Sequence, residues 1–323
     1  MCTAITYYPK DHYFGRNLDL EFSYQESVTI TPRNYSFPFR KAATTHQHYA
    51  IIGMATVDND YPLYYDATNE HGLSMAGLNF PGNAVYYPES TTQINVTPFE
   101  LIPWILTQCT DIPQVIRILK KTNLVRISYS SQYPLTPLHW FAADKTRSIT
   151  VESTAHGLQI YENPVGVLTN NPPFDYHINN LSNYVNLTSE EPTNHFAPNY
   201  PLFPNSRGAG AVGLPGDLSS ASRFIKASFT KLNSLKYDSA SASISQFFHI
   251  LGSVAQQEGC VKVGDRYEKT VYSSCCNMDS GIYYYTTYEN SQITGVSMRS
   301  EDLDGKNLIS YPLITGQQIR MEN

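Results

Sequence analysis

Charge is scarce in this sequence. Asp, Glu, Lys and Arg make up 15% of its 323 residues, and the formal net charge is −6. No run of Lys or Arg appears, so nothing marks a nucleic-acid surface, which needs a basic face to meet phosphates. Cysteine is sparse as well. Five in a chain this long cannot staple a small secreted scaffold, the number is odd, and the adjacent Cys275 and Cys276 suit a mutual disulfide poorly. No stretch approaches the roughly 20 apolar residues of a membrane span, so no membrane insertion is expected. The opening Met-Cys-Thr-Ala-Ile-Thr has neither the basic nor the apolar region of an export signal. A reduced, cytoplasmic protein is therefore expected. There is no internal repeat, no C-x-x-C and no H-E-x-x-H. His46 and His48 would share one face of a strand, but no further ligands accompany them, so no metal site is expected.

Apolar residues are plentiful. A hydrophobic share of 41% beside so few charges excludes disorder. The 25 Tyr, 20 Pro and 18 Gly predict many strands and many turns. Residues 2–8 and 13–22 read as strands around the turn Pro9-Lys10-Asp11-His12, so the chain opens with a hairpin. Further strands are expected over 49–56, 72–78, 137–143, 148–153, 157–161, 270–277, 281–288 and 292–298. Thr97-Pro98-Phe99-Glu100 is a capping box with Pro at the first helical position, and Asp111-Ile112-Pro113-Gln114 repeats the device. A second helix pair, 220–235 and 241–255, shows apolar residues at helical spacing. Strand blocks interleaved with helix pairs predict an α+β chain with two sheets face to face and helices outside, a two-domain arrangement fitting nearly as well. The irregular stretch 179–216, rich in Asn, Pro and Ser, is long enough to be a functional or interaction loop.

Gly208-Ala209-Gly210-Ala211-Val212-Gly213 matches G-x-G-x-x-G, but no strand precedes it and Pro215 blocks an immediate helix, so it reads as a loop. Ser228-Phe229-Thr230-Lys231 matches S-x-x-K without the companion motifs of that chemistry. Cys275 and Cys276 lie in a strand and read as buried thiols without chemistry, and Cys109 and Cys260 read the same way. Cys2 is different. A small residue after the initiator lets Met1 be removed, leaving a thiol and a free α-amine on one residue, and such an amine can serve as its own residue's base. The hairpin places Cys2 opposite Leu18 or Asp19, with Arg16 and Asp19 beside it. An Arg there favours a thiolate and an Asp orients the amine. Regular alternation puts Arg16 and Asp19 on opposite faces, so both reach Cys2 only through a bulge or bend, for which Gly15 is the candidate.

Cys2, Phe14-Gly15-Arg16-Asn17-Leu18-Asp19, Ala76-Gly77-Leu78-Asn79-Phe80, Leu168-Thr169-Asn170-Asn171-Pro172-Pro173-Phe174 and Ser219-Ser220-Ala221-Ser222-Arg223-Phe224 together resemble, in order and along essentially the whole chain, the choloylglycine hydrolase family. The likeness is nearest to the bile salt hydrolases of gut bacteria. It implies a single N-terminal nucleophile hydrolase domain over residues 1–323, a four-layer αββα sandwich of two antiparallel sheets flanked by helices.

The resemblance also implies roles. Cys2 is the nucleophile, with its α-amine as proton shuttle. Arg16 and Asp19 position and polarise it, Asn79 and Asn170 supply the oxyanion hole, and Arg223 is an electrostatic support. The reaction is hydrolysis of the amide joining a bile acid to glycine or taurine, through a thioester on Cys2 and without a cofactor. Penicillin V acylase is the runner-up, although Asn79 matches the bile-salt branch. Capture of the thioester by a free amine, giving acyl transfer, is a second alternative, and a non-catalytic sterol-binding module a third. Leu20, Phe22, Asn79, Ile127, Leu135 and Leu138 are candidates to line the steroid pocket. Ser206-Arg207-Gly208 resembles the version in members favouring glycine conjugates. The stretch 179–216, with Tyr184, Phe196, Tyr200, Leu202 and Phe203, resembles the segment through which bile salt hydrolases form homotetramers.

Overall fold

The structure, a computed structural model, describes residues 1–197 and 199–323. In chain order the first strands are β1 (Cys2–Tyr7), β2 (Tyr13–Leu20), β3 (Ser27–Thr31), β4 (Ile51–Asp58), β5 (Tyr61–Asn69), β6 (Ser74–Asn79) and β7 (Ile94–Val96). The helices α1 (Leu101–Leu106) and α2 (Ile112–Leu119) lead to β8 (Thr122–Leu124), β9 (Leu138–Ala143), β10 (Ser148–Thr154), β11 (Gly157–Glu162) and β12 (Val167–Leu168). Then come α3 (Phe174–Asn180), α4 (Ser220–Asn233), α5 (Ala240–Gly252), β13 (Val261–Val263), β14 (Arg266–Asn277), β15 (Ile282–Thr287), β16 (Asn290–Ser297) and β17 (Ile309–Pro312).

Two antiparallel sheets face each other. One has the order β12-β1-β2-β14-β15-β16 with β13 on β14, and the other β11-β10-β9-β6-β5-β4-β3-β17. α4 and α5 cover the outside of the first sheet, and α1 covers the second. The expected αββα layering and α+β class are therefore present. Buried residues fall into two clusters. One fills the space between the sheets and beneath α4 and α5, and the other lies between the second sheet and the pair α1 and α2.

This layering explains the burial of the expected strands β1 and β2 and why β3 and β5 escaped the sequence reading. β1 is buried at every position and β2 at all but its last, because one face meets the other sheet and the other face meets helices. β3 and β5 are likewise buried almost throughout, which removes the polar alternation that marks a half-exposed strand. The helix starts behave as read. Glu100 Oε2 accepts from Thr97 Oγ1 at 2.7 Å, although residues 98–100 form a 3-10 turn before α1, and Asp111 Oδ1 accepts from Gln114 N at 2.8 Å.

Several readings need correction. Cys260 is exposed rather than buried, because it sits in the turn before β13. His46 and His48 lie outside any strand: His48 is buried between the carbonyls of Tyr35 and Tyr49, and His46 pairs with Ser36. Among the described residues no group of three or more His, Cys, Asp or Glu could hold a metal ion, and no helix is long and apolar enough to cross a membrane.

Candidate active site

The opening hairpin sets the site. β1 and β2 pair without interruption, with Cys2 opposite Leu18, Thr3 opposite Asn17 and Ala4 opposite Arg16. Cys2, Ala4, Arg16 and Leu18 therefore share the face toward the second sheet, and Thr3, Asn17 and Asp19 share the face toward the helices. No bulge forms at Gly15. Its role is close approach: a Cβ there would lie 2.0 Å from the Ser274 carbonyl oxygen of β14. The register shift in this region lies in β14, between Thr270 and Tyr272, opposite Asp19 and Leu18. Arg16 and Asp19 do not converge on the sulfur. They approach Cys2 from its two faces, one at the thiol and one at the N-terminal backbone.

On the inner face the guanidinium of Arg16, fully buried, donates from Nη2 to Cys2 Sγ at 2.5 Å. Its Nη1 donates to the carbonyls of Tyr65 at 3.1 Å and Gly77 at 2.5 Å, both on the second sheet. The nearby anion is Asp66, which accepts from Tyr272 and Tyr283 at 2.6 Å each and from Ser274 Oγ at 3.1 Å. Ser274 Oγ in turn accepts from the Arg16 backbone N–H at 3.1 Å. Burial pushes the Asp66 carboxyl up, and Arg16 and the three hydroxyl donors oppose that shift. The fork of Arg16 is thus fixed at both ends of the charge balance.

On the helix face Cys2 N donates to Asn170 Oδ1 at 2.9 Å. Arg223, at the start of α4, donates to the same Oδ1 at 2.8 Å, to Cys2 O at 2.6 Å and to Thr3 Oγ1 at 2.7 Å. Asp19 accepts from Thr270 Oγ1 at 2.7 Å through Oδ1. Its Oδ2 lies 4.0 Å from Arg223 Nη1 and has no hydrogen-bond partner among the described residues. Burial raises the Asp19 pKa, with Arg223 and the N-terminal ammonium working against it. Met1 extends the hairpin, its ammonium paired with Glu268 and donating to Asp19 O at 2.6 Å, and burial lowers the pKa of that ammonium. Removal of Met1 converts the Cys2 amide nitrogen into an amine already directed at Asn170 Oδ1.

Asn79 ends β6, and its carbonyl accepts from Asn170 Nδ2 at 2.7 Å. The structure thus brings together Cys2, Arg16, Asp19, Asn79, Asn170 and Arg223 from five separate stretches of chain. Above Cys2 opens a cavity of about 250 Å³ walled largely by apolar side chains. Leu20, Asn79, Leu135 and Leu138 line it as expected, together with Tyr24, Leu63, Phe99, Tyr129 and Tyr133, which the sequence did not point to. Phe22 does not line it. Past the end of β2 its ring turns outward, 39% exposed, against Tyr24 at 4.7 Å and the Arg266 guanidinium at 5.2 Å. Ile127 is also absent from the wall: it sits in a tight turn, with its N–H on the Val125 carbonyl at 2.9 Å, that feeds Tyr129, Tyr133 and Leu135 into the cavity instead.

Three further residues stand behind Asn170. His139 Nε2 lies 3.0 Å from Thr169 O, its Nδ1 lies 3.1 Å from Glu152 Oε1, and His177 Nε2 lies 2.9 Å from Asn170 O. Burial lowers the His177 pKa to about 4, with His139 and Arg223 adding to the effect. The unfolded chain protonates this histidine below about 6.5, and the folded one only near 4, so folding stability falls as pH drops through that window. Full expression of this shift is worth on the order of 3 kcal/mol. Denaturant midpoints at neutral and mildly acid pH check it: the parent should lose more stability than His177→Gln, and parallel losses would contradict the assignment.

The chain matches the model of the linear amide C–N hydrolases, choloylglycine hydrolase family, over residues 2–311. It is 58% identical to a bile salt hydrolase/transferase of Lactiplantibacillus plantarum, covering 97% of both chains. It is 40% identical to a bile salt hydrolase/transferase of Clostridium perfringens, covering 96% of each. A crystal structure of a mutant conjugated bile acid hydrolase from Clostridium perfringens superposes with a TM-score of 0.93 at 37% identity, covering 100% of both chains. Penicillin V acylase from Agrobacterium tumefaciens shares the fold, with a TM-score of 0.76 at 17% identity over 96% of this chain and 90% of its own.

Proposed function

The chain belongs to the choloylglycine hydrolase family of linear amide C–N hydrolases, and from that premise we propose the following assignment of roles in the cleavage of conjugated bile salts. It is a conjugated bile salt hydrolase, acting on the amide between a bile acid and glycine or taurine. The observation that carries the mechanism is the double engagement of Cys2: Arg16 on its sulfur and Asn170 on its nitrogen. After loss of Met1, the α-amine takes the thiol proton and Arg16 holds the thiolate. Sulfur attacks the amide carbonyl, and a C–S bond forms as charge collects on the oxygen.

Asn170 commits one Nδ2 hydrogen to Asn79 O, leaving the second to meet that oxygen, and the Asn79 side chain has no hydrogen bond among the described residues and supplies the other donor. Donors already aimed at developing charge stabilise it without reorganisation. The C–N bond breaks as the α-ammonium gives its proton to the departing glycine or taurine. The neutral amine then takes a proton from water, whose oxygen displaces sulfur and releases the bile acid. Asp19 and Arg223 hold the amine and the Asn170 carboxamide in register throughout. The apolar wall of Leu20, Leu135 and Leu138 suits a steroid ring system.

Rates with glycocholate, taurocholate and penicillin V test the assignment. The conjugated bile salts should be the best substrates, with glycocholate ahead of taurocholate in line with Ser206-Arg207-Gly208. A higher kcat/KM for penicillin V would overturn it. The relatives from Lactiplantibacillus plantarum and Clostridium perfringens carry the name hydrolase/transferase, so a free amino acid added to the assay should yield a new bile acid amide from the same thioester. The segment 179–216, of which residue 198 lies outside the described residues, exposes Phe196 at 87% and Phe203 at 82%. These residues suit burial between subunits of a homotetramer, and a monomeric mass in solution scattering would reject that assembly.

A further inference from the structure

We propose that His139 with Glu152, and His177, are positioning residues for this hydrolysis: they clamp the successive carbonyls of Thr169 and Asn170 and so hold the Asn170 side chain against Cys2. The inference rests on the role given to Asn170 above. Both histidines, Glu152 and Thr169 are fully buried, and Asn170 is 4% exposed.

Residues 169–173 form an irregular link between β12 and α3, without a sheet ladder to fix them. The two carbonyls are instead met from two directions, Thr169 O by His139 of β9 at 3.0 Å and Asn170 O by His177 of α3 at 2.9 Å. A carbonyl oxygen can only accept, so each Nε2 must carry its hydrogen. His177, neutral through burial, places its single proton there. His139 faces acceptors on both sides, since Nδ1 meets the Glu152 carboxylate. One proton shared in that contact lets the ring donate through Nε2 as well. Glu152 Oε1 also accepts from Phe174 N at 3.1 Å, the first residue of the helix that carries His177. The two arms of the clamp are therefore joined.

The rings are held by stacking on neighbours of other site residues. His139 stacks on Phe80, next to Asn79, at 4.2 Å and 5°. His177 stacks on Phe224, next to Arg223, at 4.7 Å and 23°. A tilt of the 169–170 backbone would shift Asn170 Oδ1 from Cys2 N and Arg223, and Nδ2 from Asn79 O. Misplacement by about 1 Å at a reacting centre costs roughly 10²-fold in rate.

The test compares Phe with Gln at each histidine. His139→Phe and His177→Phe keep a stacking ring and delete the donor, whereas His139→Gln and His177→Gln keep a donor. With glycocholate, the Phe variants should lose about 10²-fold in kcat with KM within about two-fold, and the Gln variants should recover most of the loss. Glu152→Gln preserves shape, but the one carboxamide atom that meets both His139 Nδ1 and Phe174 N cannot both donate to the ring and accept from the helix, so one arm of the clamp loses its partner and kcat should fall by about 10-fold. Folded Phe variants with parental kcat, or equal losses in the Phe and Gln variants, would overturn the clamp. If the Phe variants do not fold, an unchanged kcat in Glu152→Gln overturns it. A parent unable to hydrolyse glycocholate would overturn the function and the clamp together, whereas an active parent with indifferent variants would overturn the clamp alone.

Discussion

Cys2→Ala should reduce glycocholate turnover by about 10⁴-fold or more, because it removes the atom that forms the acyl bond while leaving the rest of the site in place. The substitution is a clean one structurally. The Cβ remains, the hairpin register is set by backbone pairing, and Cys2 N, Cys2 O, Asn170 and Arg223 keep their contacts. What is lost is the hydrogen bond from the buried guanidinium Nη2 of Arg16, a change of about 1.5–3 kcal/mol in stability. A thermal melt close to the parent's, combined with near-complete loss of rate, separates a nucleophile from a packing residue. Substrate affinity should survive, since the apolar wall is untouched. Cys2→Ser should also be severely impaired, because its hydroxyl remains protonated where a thiol would ionise. Turnover within ten-fold of the parent in Cys2→Ala would refute the covalent route.

The second large effect is expected at Arg16, where activity and stability fail together for separable reasons. Arg16→Met removes the donor to sulfur and deprives the carbonyls of Tyr65 and Gly77 of their partner. It also removes the cation that opposes the burial-driven rise of the Asp66 pKa, so stability should fall as well. Loss of the thiolate's charged partner should lower kcat by about 10³-fold. The double variant Arg16→Met with Asp66→Asn separates the two. Neutralising the stranded carboxylate should restore much of the melting temperature but none of the rate. A double variant no more stable than the single one would show that Asp66 is not the counter-charge. Rate restored along with stability would show that Arg16 acts only through the fold. Arg16→Lys should not substitute, because one ammonium on a flexible stem cannot meet sulfur and two carbonyls in the fixed directions of a guanidinium fork.

The hairpin was legible because its turn cluster and β-formers are local, and counting from Pro9 to His12 places Cys2 opposite Leu18 or Asp19, of which the structure has Leu18. The capped helices were legible for the same reason. The convergence of the site was not a local property. Asn170 and Arg223 reach Cys2 across 168 and 221 residues, and only family resemblance pointed to them. The bulge expected at Gly15 assumed that Arg16 and Asp19 share one target atom. A first residue offers two, a thiol on one face and a nitrogen along the strand, so regular alternation serves both. Phe22 and Ile127 were misplaced because apolar character does not say which way a loop turns a side chain. His139, Glu152 and His177 left no signal at all: a buried polar residue looks like any other until its partners, carbonyls in another segment, are known.

Intact-mass spectrometry of the enzyme, acid-quenched during glycocholate turnover and followed by peptide mapping, tests the central claim most directly. The chain should be lighter by one methionine and carry a single cholyl group on a peptide beginning at Cys2. A fully active preparation that keeps Met1, or an acyl group found on any other residue, would contradict it.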